Sequence, residues 1–393
     1  MYKSLREIRT GETAYFAVFS LYTVLPVLQY TFYKSFLPRE NLMNGILLIC
    51  LAVLAVREVL FETMDLSSVL LLAAALVFAA NSLISGTFWT AFPFILIFCG
   101  RNISPRRLFT FAGALTLALM AFVVLSAFGG IIENYRRIEV NRENNREYLG
   151  FLFALYPGFL FLNAASLIVA VRGRRIHFIT LASIGAISFL IYRKTDGRLA
   201  FFLTLLLLVF ACFMRVFPDL LRSLKALFFL AVPAFPAAAV VSAALTFSFN
   251  PSVRWMYRLD LMLDHRISYG QASIRQFGLH LIGTSVNWVG YGLDEAGNRS
   301  LGDYLYVDNA FVGFLQRFGW IAFILVVVLG TAALFRLYLA GRYELLFIFL
   351  LITIHALLDN LVLQLIYNTF WIAAAHSIAA RPVKEVWDYE SIT

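Results

Sequence analysis

Charge is scarce in this sequence. Asp, Glu, Lys and Arg supply 14% of its 393 residues, against about a quarter in a soluble domain, and the mean hydropathy is +0.80. An ordinary soluble domain is excluded. Cysteine is scarce as well: Cys50, Cys99 and Cys212 lie in or beside apolar runs, without CxxC or Cys/His spacing. They read as packing residues and fix no redox compartment. Also missing are a P-loop, a G-x-S-x-G elbow, an HExxH helix and any metal-ligand cluster of recognisable spacing, so the common soluble-enzyme chemistries have no foothold.

What the chain has is apolar length. Runs of about 17 to 25 residues suit bilayer-crossing helices, and the short alternating segments of an outer-membrane barrel are absent. About twelve spans can be drawn, at 13–33, 42–56, 67–82, 86–100, 108–128, 148–170, 176–192, 199–216, 225–247, 307–333, 345–358 and 360–380. The fold class is an all-α polytopic membrane protein, one membrane domain over residues 1–393. The basic start MYKSLREIR precedes a run too long for a signal-peptide core, which reads as an uncleaved first helix.

The formal net charge of +9 does not mark a nucleic-acid binder, because its cations sit in short clusters at the ends of apolar runs. With the N-terminus in the cytoplasm, Lys3, Arg6 and Arg9, then Arg101, Arg106 and Arg107, then Arg172, Arg174 and Arg175 fall on one side. Arg215, Arg222 and Lys225, then Arg336 and Arg342, then Arg381 and Lys384 join them. Both termini are then expected to be cytoplasmic. Helix interiors carry almost no charge, with Glu58, Glu62 and Asp65 assigned to a cytoplasmic turn.

Three outward connections hold arginines that topology leaves unexplained. Gly129 to Glu147 interleaves Arg136, Arg137, Arg142 and Arg146 with four glutamates, which suits a solvated charged helix with pairs such as Glu143 and Arg146. Arg198 follows Thr195-Asp196-Gly197 and opens an apolar helix, as an anion ligand or an interfacial anchor would. The third, residues 248–306, is a large extracytoplasmic loop too polar for lipid. A helix is expected from about Arg254 to His280, with Trp255, Met256, Leu259, Met262 and Leu263 along one side, suited to the membrane surface. Gly283, Gly290, Gly292 and Gly297 suit a re-entrant or tight loop.

Arginine offers a planar fork of donors that stays charged, and captures phosphate or carboxylate with two parallel bonds. Arg198, Arg254, Arg258, Arg266 and Arg275 are therefore candidate ligands of a phosphate, and on the outer face a lipid-linked phosphate or pyrophosphate is the reasonable anion. Proton handling falls to Asp264, His265, His280, Asp294, Glu295, Asp303 or Asp308, of which His265 stands beside Arg266.

These features resemble a family, the bacterial O-antigen polymerase and ligase superfamily with its Wzy-type polymerases. The resemblance rests on Thr195-Asp196-Gly197-Arg198 opening a helix, Arg266 followed by SYGQASIRQF and LIGTS, and Gly290-Tyr291-Gly292. It continues through Tyr306-Val307-Asp308-Asn309-Ala310-Phe311 to Gly319-Trp320, and His355 through Asp359 to Asn368-Thr369-Phe370.

The resemblance implies a GT-C-like bundle in the bacterial cytoplasmic membrane, transferring glycans from undecaprenyl pyrophosphate with no metal and no cofactor. Its partners would be undecaprenyl-pyrophosphate-linked glycans, the lipid bilayer, and a chain-length regulator and flippase. Arg198 and Arg266 would hold the pyrophosphate, with Arg258 and Arg275 in support, and His265, Asp308 or Asn309 would orient the attacking hydroxyl. Many ligase-type members place a His where this chain has Asp308, which favours a polymerase. The alternatives are a glycan ligase with the same donor, and a transporter or flippase.

Overall fold

In a computed structural model the structure describes residues 5–38, 40–86, 88–137, 146–217, 223–299 and 302–379. Its helices in chain order are α1 Leu5–Gln29, α2 Glu40–Phe61, α3 Leu66–Ser85, α4 Phe88–Cys99 and α5 Pro105–Phe128. After strands β1 Arg136–Arg137 and β2 Arg146–Glu147 come α6 Tyr156–Arg172, α7 Phe178–Thr195 and α8 Arg198–Val216. Next are α9 Lys225–Phe229, α10 Ala231–Ser248, α11 Arg254–Met262 and α12 Arg266–Phe277. The last three are α13 Ala310–Leu339, α14 Tyr343–Leu358 and α15 Phe370–Ala379.

Among the described residues, nine helices are long and apolar enough to cross a membrane, and α4, α14 and α15 are shorter apolar ones. This is an all-α membrane protein. The helix ends have local causes: Asp65 accepts from Ser68 N–H and caps α3, and Asn309 accepts from Val312 N–H and caps α13. Pro105 opens α5, where its missing N–H costs no helical bond.

Three expected segments differ. The helix drawn from Arg254 to His280 is two helices, because Asp264 and His265 both adopt positive φ (51° and 63°) and break it. The final span at 360–380 is a 3-10 turn, Asn360–Leu363, an irregular stretch and then the ten residues of α15. Between Gly129 and Glu147 the expected charged helix gives way, at its described ends, to an antiparallel ladder pairing Arg136 with Glu147 and Arg137 with Arg146. Arg142 and Glu143 lie outside the described residues.

The chain packs as two compact units: Met1–Glu62, Ile103–Leu224 and Tyr291–Leu301 in the first, Thr63–Asn102, Lys225–Gly290 and Gly302–Thr393 in the second. In the first, α1 packs on α2, α5 on α6, and α8 on α6 and α7. Its α2 holds an unexpected interior charge: buried Arg57 donates to Glu58 (2.6 Å), Glu62 (2.7 Å) and the Gly11 carbonyl (3.0 Å). In the second, α13 packs against α3, α10, α14 and α15.

The helix α13 is broken at Gly319, whose φ of 78° and ψ of 174° lie in a region open essentially to glycine alone. The break frees backbone groups, and the chain from His280 to Thr284 takes them up. Trp320 N–H donates to the His280 carbonyl, Ile321 N–H to that of Leu281, and Thr284 N–H to that of Arg317, at 3.0–3.1 Å. Gly283 N–H donates to Asn81 Oδ1 (2.7 Å) on α3. A Cβ at Gly283 would stand 2.4 Å from the Asn81 carbonyl, so only glycine permits this approach. The expected tight loop at LIGTS is thus seated at the break in a spanning helix.

Candidate active site

In the second unit the site begins with Asp260, a carboxylate 2% exposed. Its Oδ1 accepts from the N–H groups of Ile267 (3.0 Å) and Ser268 (2.9 Å), so it caps the first turn of α12 from the preceding helix. Its Oδ2 lies 3.2 Å from Nδ1 of His265, whose own N–H donates to the Asp260 carbonyl at 2.8 Å. One buried side chain therefore fixes both His265 and the start of the helix that Arg266 opens. Sequence reasoning passed over Asp260. The available signal was its register: it falls on the apolar stripe of α11, with Met256 and Leu263 at helical spacing on either side.

Arg266 points its Nε at Asp308 Oδ2 (3.4 Å), with both side chains 22% exposed. Burial pushes the Asp308 carboxyl above its ordinary range, opposed by the Arg266 charge and by hydrogen bonds from Arg266 and Tyr304. In the turn after α14, burial and then the Asp308 charge raise Asp359 to about 7. Arg266 is thus paired with one carboxyl, Asp308, and lies within electrostatic reach of a second, Asp359.

Asn309 has a different task. Beyond capping α13, its amide donates to Ser242 Oγ (2.9 Å) and the Leu357 carbonyl (3.0 Å), tying α10, α13 and α14 together. Both amide protons are committed within the fold. Nearby, Tyr306 donates to Asn360 (3.1 Å), which donates to the Val307 carbonyl (2.8 Å). Trp288, Ser273 and Gln316 form a further chain, with Trp288 Nε1 and the Gln316 amide each 2.8 Å from atoms of Ser273. Arg317 lies over the Trp288 ring at 4.3 Å.

No family model matches the chain, and no curated protein or solved structure matches it.

The remaining expected residues divide by place. Arg254 and Arg258 on α11 and Arg275 on α12 are exposed and form no ion pair among the described residues. His280 is exposed, its Nε2 3.1 Å from the Phe277 carbonyl. Asp294 closes a turn in the first unit, accepting from Ala296 and Asn298, and Glu295 pairs there with Lys34 at 3.1 Å. Arg198 also belongs to the first unit. It is 66% exposed at the start of α8 and contacts Asp196 at 3.2 Å, which Arg146 meets at 3.4 Å. Beside them Lys194 pairs with Glu147 (2.8 Å), which Arg136 approaches at 3.9 Å. Here Arg136, Arg146, Lys194 and Arg198 gather round two carboxylates, an arrangement in cationic excess. No group of three or more metal-ligating side chains occurs among the described residues.

Proposed function

We propose that this protein is a polymerase of lipid-linked oligosaccharide repeats, joining undecaprenyl-pyrophosphate-linked units into a surface polysaccharide on the outer face of a bacterial cytoplasmic membrane. What carries the reading is the cluster at α12: a half-buried arginine paired with a carboxyl that resists ionisation, and an exposed histidine one residue away. Phosphoryl oxygens reward a fixed guanidinium more than any other side chain, and charge developing on a leaving diphosphate is the main demand of the reaction.

In the proposed step the acceptor hydroxyl oxygen bonds to the anomeric carbon as the bond from that carbon to the diphosphate oxygen breaks. The bonding pair leaves with the diphosphate, which Arg266 neutralises, and the hydroxyl proton passes to His265. A single displacement inverts the anomeric centre. Arg198, in its cationic cluster, is proposed as a further anion ligand. Asp308 sets the orientation of Arg266 through their contact, and Asn309 holds the helix ends beneath them.

The test is purified protein with a defined undecaprenyl-pyrophosphate oligosaccharide. A ladder of polymer with release of undecaprenyl pyrophosphate is expected. Single transfer to another lipid or protein acceptor would instead mark a ligase. Movement of substrate across liposomes with no new glycosidic bond would refute an enzyme altogether.

A further inference from the structure

We infer that Asp260 is a positioning residue for glycosyl transfer, holding His265 in the one tautomer that can accept the hydroxyl proton; the inference rests on the proposed transfer reaction. Three observations converge. The carboxylate is buried and the imidazole is 49% exposed, so the pair presents one ring edge outward while the other faces Asp260. Oδ2 faces Nδ1 at 3.2 Å, and a carboxylate there accepts a hydrogen bond from Nδ1–H, which keeps the proton on Nδ1 and leaves Nε2 with its lone pair. Oδ1 is already engaged by the two N–H groups of α12, so the carboxylate cannot turn away without uncapping that helix.

The backbone adds a fourth. Asp264 and His265 both occupy the left-handed region, where a side chain is strained and glycine is not. The break sets the His265 ring against the side chain of the residue five positions before it. The charged and titratable neighbours are Asp264 and Arg266 on either side, Tyr269 with its ring 6.2 Å away, and Asp308 through Arg266. Among the described residues, it is Asp260 that meets a ring nitrogen of His265.

The step balances without any further reagent. The acceptor oxygen bonds to the anomeric carbon as the bond from that carbon to the diphosphate oxygen breaks, the diphosphate leaves with the bonding pair, and the acceptor's proton moves to Nε2. Nδ1–H stays on the ring and keeps its bond to Asp260, which stabilises the imidazolium and does not itself take the proton.

Asp260→Asn separates positioning from capping. The asparagine oxygen still accepts from Ile267 and Ser268, whereas its amide presents a donor to Nδ1 and forces the proton onto Nε2. Expected are a fall in kcat of about 10²-fold or more with KM nearly unchanged, and a thermal midpoint close to wild type. The ring ¹⁵N shifts, assigned against His265→Gln, should show Nε2 changing from bare to protonated. His265→Gly, which relieves the strain, should fold at least as stably and lose kcat to a similar extent. An unchanged tautomer in Asp260→Asn would overturn the inference, as would a tautomer switch with kcat within about threefold of wild type. If wild-type protein makes no glycosidic bond, the polymerase reading falls by itself, and the ¹⁵N shifts still report whether Asp260 sets the ring.

Discussion

Gly319→Ala should be among the most damaging single methyl additions in this protein. Two costs combine. At φ 78° and ψ 174° an alanine sits where L-residues are almost never found, at about 1–3 kcal/mol. Its Cβ would also stand 2.7 Å from the Ile282 carbonyl carbon and oxygen and the Leu281 oxygen. Those atoms are backbone, held by the bonds from Ile321 N–H to the Leu281 carbonyl and from Gly283 N–H to Asn81, so they cannot swing aside as a side-chain tip would. Overpacking of this kind adds about 1–3 kcal/mol, for a total loss of about 2–6 kcal/mol. Gly341→Ala is the control: its φ is also positive, at 69°, but open space surrounds the added atom, so it should lose only about 1–2 kcal/mol. Both variants can be compared with wild type by SDS-induced unfolding in mixed micelles. Equal losses for the two would refute the seating of His280–Thr284 against the broken helix.

Other outcomes are expected as follows. Arg266→Ala should lower kcat/KM for the lipid-linked donor by about 30-fold to a few thousand-fold, the 2–5 kcal/mol of a desolvated ionic contact, and Arg266→Lys should recover little of it because a point charge replaces the fork. Arg198→Ala, tested in the same polymer-ladder assay, should lower turnover while leaving the unfolding free energy within about 0.5 kcal/mol of wild type, since the side chain is largely exposed. Asp65 is held down to about 2 by hydrogen bonds from Ser68 and then Ser67. A depressed carboxylate stabilises the fold above its ordinary range, and the contribution is lost as pH falls from about 4 to about 2. Asp65→Ala should therefore cost about 1 kcal/mol at pH 7, and the difference from wild type should shrink across that acid window.

The apolar runs made the spanning helices legible, because length and the absence of charge suffice to mark a segment for lipid. What escaped was whatever depends on tertiary contact. Gly319 lies inside a segment drawn as one span, and its break exists because the carbonyls of His280 and Leu281 supply replacement partners. Asp260 showed only as a polar residue on the apolar stripe of α11, and its importance comes from the turn of α12 folded over it. The end of the chain was misread because its hydropathy is continuous from Asn360 onwards, while Asp359 and Asn368 take up backbone groups that end the helix. Arg266 with Asp308 was accessible as two separate candidates. Their partnership, across 42 residues of sequence, was not.

The attachment of the loop to α13 is made almost entirely by main chain. Peptide groups are the same in every residue, so the side chains of Leu281, Ile282 and Thr284 are free to vary while the bonds beneath them persist. Gly283 and Gly319 are the fixed points, each for want of a Cβ. A loop anchored in this way can exchange its side chains without renegotiating its own attachment, and only Gly283 and Gly319 are held to one residue type by the space around them.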